Sequence, residues 1–135
     1  MKKVIQYAAV ALMFVIAGSQ AVMSQGSKAT TVSPKEFQAQ WAKYDGFLMD
    51  IRTPEEYMAA SITRAKLCSF TDPNFEAILD MLDKGTTIYM YDQDGKNSAK
   101  AAEMMAKKGF TKVVILQGGL DAWKKAGLEI KNMKK

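Results

Sequence analysis

Thr86-Thr87-Ile88-Tyr89-Met90-Tyr91-Asp92-Gln93-Asp94-Gly95-Lys96-Asn97-Ser98 passes from an apolar, β-branched and aromatic run into a tight polar loop. The run up to Tyr91 lacks polar alternation, which predicts a strand covered on both faces, as in a parallel sheet. A helix is expected to begin near Ser98, with Ala99, Ala102, Met105 and Ala106 on one face. In open parallel sheets, ligands sit beyond the carboxyl ends of the strands, where loops lead into helices. A strand end, a tight loop and a helix N-terminus also turn several backbone amides toward one point. Asp92, Gln93, Asp94, Gly95, Lys96, Asn97 and Ser98 are therefore the candidate anion cradle.

Working outward, three further apolar runs read as strands: residues 47–51, 66–70 and 113–116. Helix starts stand between them. Ser33-Pro34-Lys35-Glu36 and Thr53-Pro54-Glu55-Glu56 each place a hydroxyl at the N-cap, proline at the first helical position and glutamate three after the cap. Asp72-Pro73 opens another helix without the closing carboxylate, and Gly85, Gly109 and Gly127 read as left-handed helix terminators. Strands alternating with helices imply a three-layer α/β fold: a mainly parallel sheet of four to five strands, helices on both faces and right-handed crossovers.

The chain has 135 residues, room for one core, and its 48% apolar and 24% charged composition is that of a globular protein. Residues 1–24 read as a signal peptide. Lys2 and Lys3 give the positive start, and residues 4–18 are apolar apart from Gln6 and Tyr7. Ser19 and Ala21 suit a cut after Ala21, with a rival cut after Ser24. Residues 25–32 read as a linker, 33–130 as the domain and 131–135 as a basic tail. The expected location is outside the cytoplasm, periplasmic or extracellular in a bacterium-like cell, with no membrane anchor once the leader is removed. Without the leader, 17 basic side chains face 14 acidic ones, a small excess of +3 partly held in that tail. No aromatic-interleaved basic stripe accompanies it, so nucleic acid is not an expected partner. The absence of histidine excludes a histidine base, a triad and the common zinc sites, and the single Cys68 excludes an internal disulfide.

Three stretches resemble the rhodanese family over about residues 33–130. They are Leu48-Met49-Asp50-Ile51-Arg52-Thr53-Pro54-Glu55-Glu56-Tyr57, Lys108-Gly109-Phe110-Thr111-Lys112-Val113 and Gln117-Gly118-Gly119-Leu120-Asp121-Ala122-Trp123, the last being the family's C-terminal signature. The resemblance implies the rhodanese-like fold and, in active members, sulfur transfer by a cysteine that opens the loop. By the same resemblance Asp92 stands in that cysteine's place, and Asn97 stands where an arginine usually precedes the closing serine. Ala60-Ser61-Ile62-Thr63-Arg64-Ala65 replaces the family's Gly-His-Ile-Pro-Gly-Ala.

Sulfur transfer needs a polarisable thiolate, and a carboxylate cannot hold a persulfide. Asp92 is expected to fill the cradle itself, accepting hydrogen bonds from the loop amides. Cys68, in an apolar run, reads as a small buried hydrophobe. Asp50 and Arg52 are crevice candidates, with Arg52 read as a brace to Asp50, Glu55 or Glu56. Trp41 and Trp123 read as core or rim packing. The leading reading is a non-catalytic binding or regulatory domain, monomeric and without metal or cofactor, whose partner is a protein or a small anionic ligand. Enzymatic alternatives are a sulfurtransferase with an atypical site and, further off, a phosphatase using Asp92 and Asp94. The latter lacks the expected threonine (Lys96 stands there) and a later acidic pair for Mg²⁺. A calcium loop fails on the placement of Gly95 and the charge of Lys96.

Overall fold

The computed structural model describes residues 29–43 and 45–132. The expected signal peptide, the start of the linker and the last lysines lie outside them. Strands β1 (Ala29–Val32), β2 (Phe47–Asp50), β3 (Lys66–Leu67), β4 (Ile88–Tyr91) and β5 (Val113–Leu116) alternate with helices α1 (Pro34–Lys43), α2 (Pro54–Ala59), α3 (Phe75–Met81), α4 (Lys96–Lys107) and α5 (Gly119–Lys125). The strands form one all-parallel sheet in the order β1-β5-β4-β2-β3, an α/β layered fold. Among the described residues no helix is long and apolar enough to cross a membrane.

β4 lies at the centre and all four of its residues are buried, which is why its sequence shows no polar alternation. Side chains nevertheless alternate between two cores, because successive Cβ atoms leave opposite faces of a strand. Met49, Ile88, Met90, Val113 and Ile115 pack with Phe75 and Leu79 of α3 and Ala101, Ala102 and Met105 of α4. Leu48, Tyr89, Tyr91 and Leu116 pack with Phe37 of α1 and Leu120 and Trp123 of α5.

Several local expectations need correction. Residues 29–32 are not linker but the edge strand β1, in register with β5 from Ala29↔Val113 to Val32↔Leu116. Their polarity suggested a linker, but Thr30, Thr31 and Val32 are β-branched and suit a half-covered edge. At the other end Lys131 is not tail. Its backbone pairs with Ser61 in an antiparallel bridge, so the domain extends past residue 130. Only Lys66 and Leu67 of the run 66–70 form strand. The following Cys68 and Phe70 still donate backbone hydrogen bonds to Asp50 (2.8 Å) and Ile51 (2.9 Å).

The caps divide similarly. Thr53 and Glu56 form the full capping box. Ser33 accepts from the Glu36 amide at 3.3 Å, but Glu36 turns its carboxylate to Gln40 instead of back to the cap. Asp72 accepts from the Asn74 amide at 2.8 Å in a local turn, and α3 opens only at Phe75. Gly109 (φ 97°) and Gly127 (φ 73°) are left-handed helix ends, whereas Gly85 belongs to the turn closed by Thr86 N–H on Asp83 O. The buried face of α4 carries Ser98, Ala101, Ala102 and Met105, so Ala99 is exposed and Ala106 only half-buried. The helix starts at Lys96, two residues earlier than expected.

Phe37 is fully buried and meets Tyr89 (5.6 Å) and Trp123 (6.2 Å) edge-to-face, tying α1 and α5 to the central strand. Phe37→Ala is expected to cost about 3–5 kcal/mol in urea unfolding. A loss under 1 kcal/mol would mean that this face is not the packed core it resembles.

Candidate functional site

The end of β4 delivers Asp92 to the mouth of the sheet, where it is 3% exposed. A buried carboxylate needs donors, and its own loop supplies them. Oδ1 accepts from Gly95 N–H (2.7 Å) and the Ser98 hydroxyl (2.9 Å), and Oδ2 accepts from Asn97 N–H (2.8 Å). Gly95 makes the turn at φ 97°. The carboxylate thus caps α4 from below, beside the positive end of its dipole, and allows the helix to begin at Lys96 instead of Ser98. Asp92 takes part in no ion pair among the described residues. Asp94, by contrast, is exposed and closes a local turn with Lys96 N–H at 3.0 Å.

The loop rests on α5. Leu120 and Asp121 donate their amides to the carbonyls of Asp92 (2.9 Å) and Gln93 (3.1 Å). Gly119, at φ 64°, lies so close that a Cβ would come within 2.5 Å of the Asp92 and Gln93 backbone. The glycine doublet of the Gln117-Gly118-Gly119 stretch is therefore a close-approach requirement.

Asp50 and Arg52 form a second buried group. Asp50 is inaccessible, and Arg52 reaches its carboxylate through Nε (3.0 Å to Oδ1) and Nη2 (2.8 Å to Oδ2), with Arg52 N–H on Oδ1 at 2.9 Å. Arg52 also donates to the Ala60 carbonyl and, through Nη1, to Gln93 Oε1 at 3.0 Å. Burial lowers the guanidinium pKa, but the hydrogen bond and charge of Asp50 outweigh it, and the net shift is upward. Tyr91 packs beneath the guanidinium and accepts from Ile62 N–H at 3.0 Å. Burial first, then the Asp50 charge and a hydrogen bond to it, push the Tyr91 hydroxyl far above the usual range. Of the two crevice candidates, Arg52 lines the cleft and Asp50 lies beneath it. Arg52 is indeed a brace, to Asp50 and not to Glu55 or Glu56.

The cleft itself lies among Arg52, Thr53, Glu56, Thr71, Gln93 and Asn97, with a volume of about 160 Å³. Ligand pockets commonly run from about 300 to 1,000 Å³. The loop brings residues 92–98 together as expected, but the cradle amides of Gly95 and Asn97 are already taken. Gln93 was missed as a structural residue: its Oε1 accepts from Arg52 and its Nε2 donates to Asp121 Oδ1 at 2.6 Å, joining three elements. No local pattern around Gln93 announces that role. Cys68 packs in the core with Ile51 and Phe75, and burial, followed by the Asp50 charge, pushes its thiol up to about 11.

The fold and the loop at its strand ends define a class. The rhodanese-like domain family matches residues 33–126, and the chain belongs to that family. It is 33% identical over 104 residues to the probable adenylyltransferase/sulfurtransferase MoeZ of Mycobacterium tuberculosis, covering 76% of this chain and 26% of that protein. The chain thus spans about a quarter of that relative. It is 26% identical over 101 residues to the thiosulfate sulfurtransferase GlpE of Actinobacillus pleuropneumoniae, covering 75% of this chain and 92% of that one. The BH2092 protein of Bacillus halodurans shares the fold at a TM-score of 0.69 with 24% identity, covering 87% and 85% of the two chains. The polysulfide-sulfur transferase homodimer of Wolinella succinogenes does so at 0.65 with 22% identity, covering 87% and 89%.

Two expectations test this geometry. Asp92→Asn places an amide among donors and should cost about 2–3 kcal/mol in chemical unfolding. Asp94→Asn, exposed, should stay within about 0.5 kcal/mol, and equal losses would refute the buried-acceptor arrangement. Cys68 should react with a disulfide reagent at pH 8 about a hundredfold more slowly in the folded than in the urea-unfolded chain. Because the folded thiol is raised from 9.0 to about 11, its contribution to stability is complete below pH 9 and lost on rising toward pH 11. Equal thiol reactivity in the two states would contradict this placement.

Proposed function

We propose that this chain is an exported rhodanese-like domain that does not itself transfer sulfur and serves as a binding or regulatory module. One observation carries the reading: the Asp92 carboxylate occupies the cradle, with both oxygens bonded to Gly95, Asn97 and Ser98 of its own loop. On the family resemblance this is the place of the persulfide cysteine, and an oxygen acid there offers no sulfur nucleophile and already engages the amides of Gly95 and Asn97. Cys68 does not replace it, since a core thiol with a pKa of about 11 is protonated at neutral pH. Lys2, Lys3 and the apolar stretch after them support export.

The test is thiosulfate-to-cyanide transfer by the purified domain, read as thiocyanate and sulfite. Wild type and Cys68→Ser are both expected to stay at the buffer rate. Turnover that disappears in Cys68→Ser would overturn the non-catalytic reading. The chain recovered from periplasmic fluid should begin just after Ala21 or Ser24, and an uncut cytoplasmic chain would overturn the export reading.

A further inference from the structure

We propose that a cavity of about 300 Å³ beneath Arg64 and Trp41, remote from the Asp92 loop, binds a small organic carboxylate. Its walls are Trp41 of α1, Gly46, Phe47 and Leu48 at the start of β2, and the side chains of Arg64 and Lys66. It shares no residue with the cleft beside Asp92. The cavity exists because β3 pairs only with Met49 and Asp50, leaving Phe47 and Leu48 without a strand neighbour on that side.

Its charge is one-sided. Arg64 and Lys66 line it, no acidic residue does, and neither cation forms an ion pair among the described residues. Asp45 and Glu129 line an adjoining cavity of about 440 Å³ that also borders Trp41 and Arg64, and they do not pair with Arg64. The Arg64 guanidinium lies 5.3 Å from the centre of the Trp41 ring. Its backbone is left-handed at φ 73°, the one such non-glycine residue among those described. That conformation costs any residue with a Cβ, yet here it carries an arginine that forms no ion pair among the described residues. A planar guanidinium laid on an aromatic face presents its fork to a planar carboxylate. Trp41, half-buried beside the guanidinium, gives the ligand's apolar body a surface to lie on, and the volume is at the lower end of small-ligand pockets.

Benzoate is the probe, followed by NMR of the domain, with benzylamine as the cationic counterpart of the same shape. Benzoate is expected to shift the amides of residues 46–48 and the Trp41 indole saturably, and benzylamine to leave them in place. Arg64→Gly suits the left-handed backbone, so it should keep or raise Tm while weakening benzoate at least tenfold. Lys66→Gln should weaken it several-fold. Equal binding of benzylamine, unchanged benzoate affinity in Arg64→Gly, or shifts confined to residues 92–98 would each overturn the proposal. None of these outcomes bears on whether Asp92 fills its loop, which the sulfur-transfer assay addresses separately.

Discussion

A carboxylate buried at the end of the central strand has to be met by donors, and the architecture of that end of the sheet follows from meeting it. An unpaired buried charge in a medium of low polarity costs several kcal/mol. Among the described residues no cation pairs with Asp92, and the compensation comes from two amides, a hydroxyl and the dipole of α4. To present those donors the loop must curl tightly, which Gly95 permits at φ 97°. The curled loop then turns the carbonyls of Asp92 and Gln93 toward α5, whose amides receive them over the bare backbone of Gly119. The capping of α4, the seating of α5 and the glycine doublet are linked parts of one arrangement.

Asp50, buried in the neighbouring strand, is handled differently. Its partner is Arg52, whose fork also reaches Ala60 and Gln93, so the pair is fully bonded and ties β2 to the segment before β3 and to the loop. A buried pair of this kind adds little net stability over apolar packing, but removing one member leaves the other uncompensated. Gln93 connects the two systems, since it accepts from Arg52 and donates to Asp121 of α5. Arg52 and Gln93, on the walls of the cleft between them, are bonded to one another.

Much of this was legible in the residues. The apolar runs located the strands because β4 and its neighbours are covered on both faces, and the Thr53-Pro54-Glu55-Glu56 cap read as it folds. The position of Asp92 as an internal acceptor was legible too, since a short acid at a strand end before a glycine turn has its own loop as the nearest source of donors. What escaped depended on distant partners. β1 is a strand only because β5 offers an edge to Thr30 and Thr31, and Lys131 belongs to the domain only because Ser61 meets it. The face of α4 was legible at Ala102 and Met105, but Ser98 and Ala101 complete it because the packed side is set by the sheet beneath the helix. Arg64 stands where the family's Gly-His-Ile-Pro-Gly-Ala segment has its second glycine. Its left-handed backbone becomes visible only once the turn before β3 is built.

The two ends of the domain are therefore chemically opposite. Beside Asp92 the amides of Gly95 and Asn97 and the Ser98 hydroxyl are bonded to its own carboxylate. Beside Trp41, Arg64 and Lys66 form no ion pair among the described residues and line an opening that the short β3 leaves in the sheet's flank. Internal satisfaction makes a rigid, unreceptive surface, because an incoming ligand must break bonds before it forms any. Arg64 over the Trp41 ring has no ion pair of this kind to break. The strand-end loop is therefore part of the scaffold, held by the bonds of Gly95, Asn97 and Ser98 to Asp92 that a ligand there would first have to break.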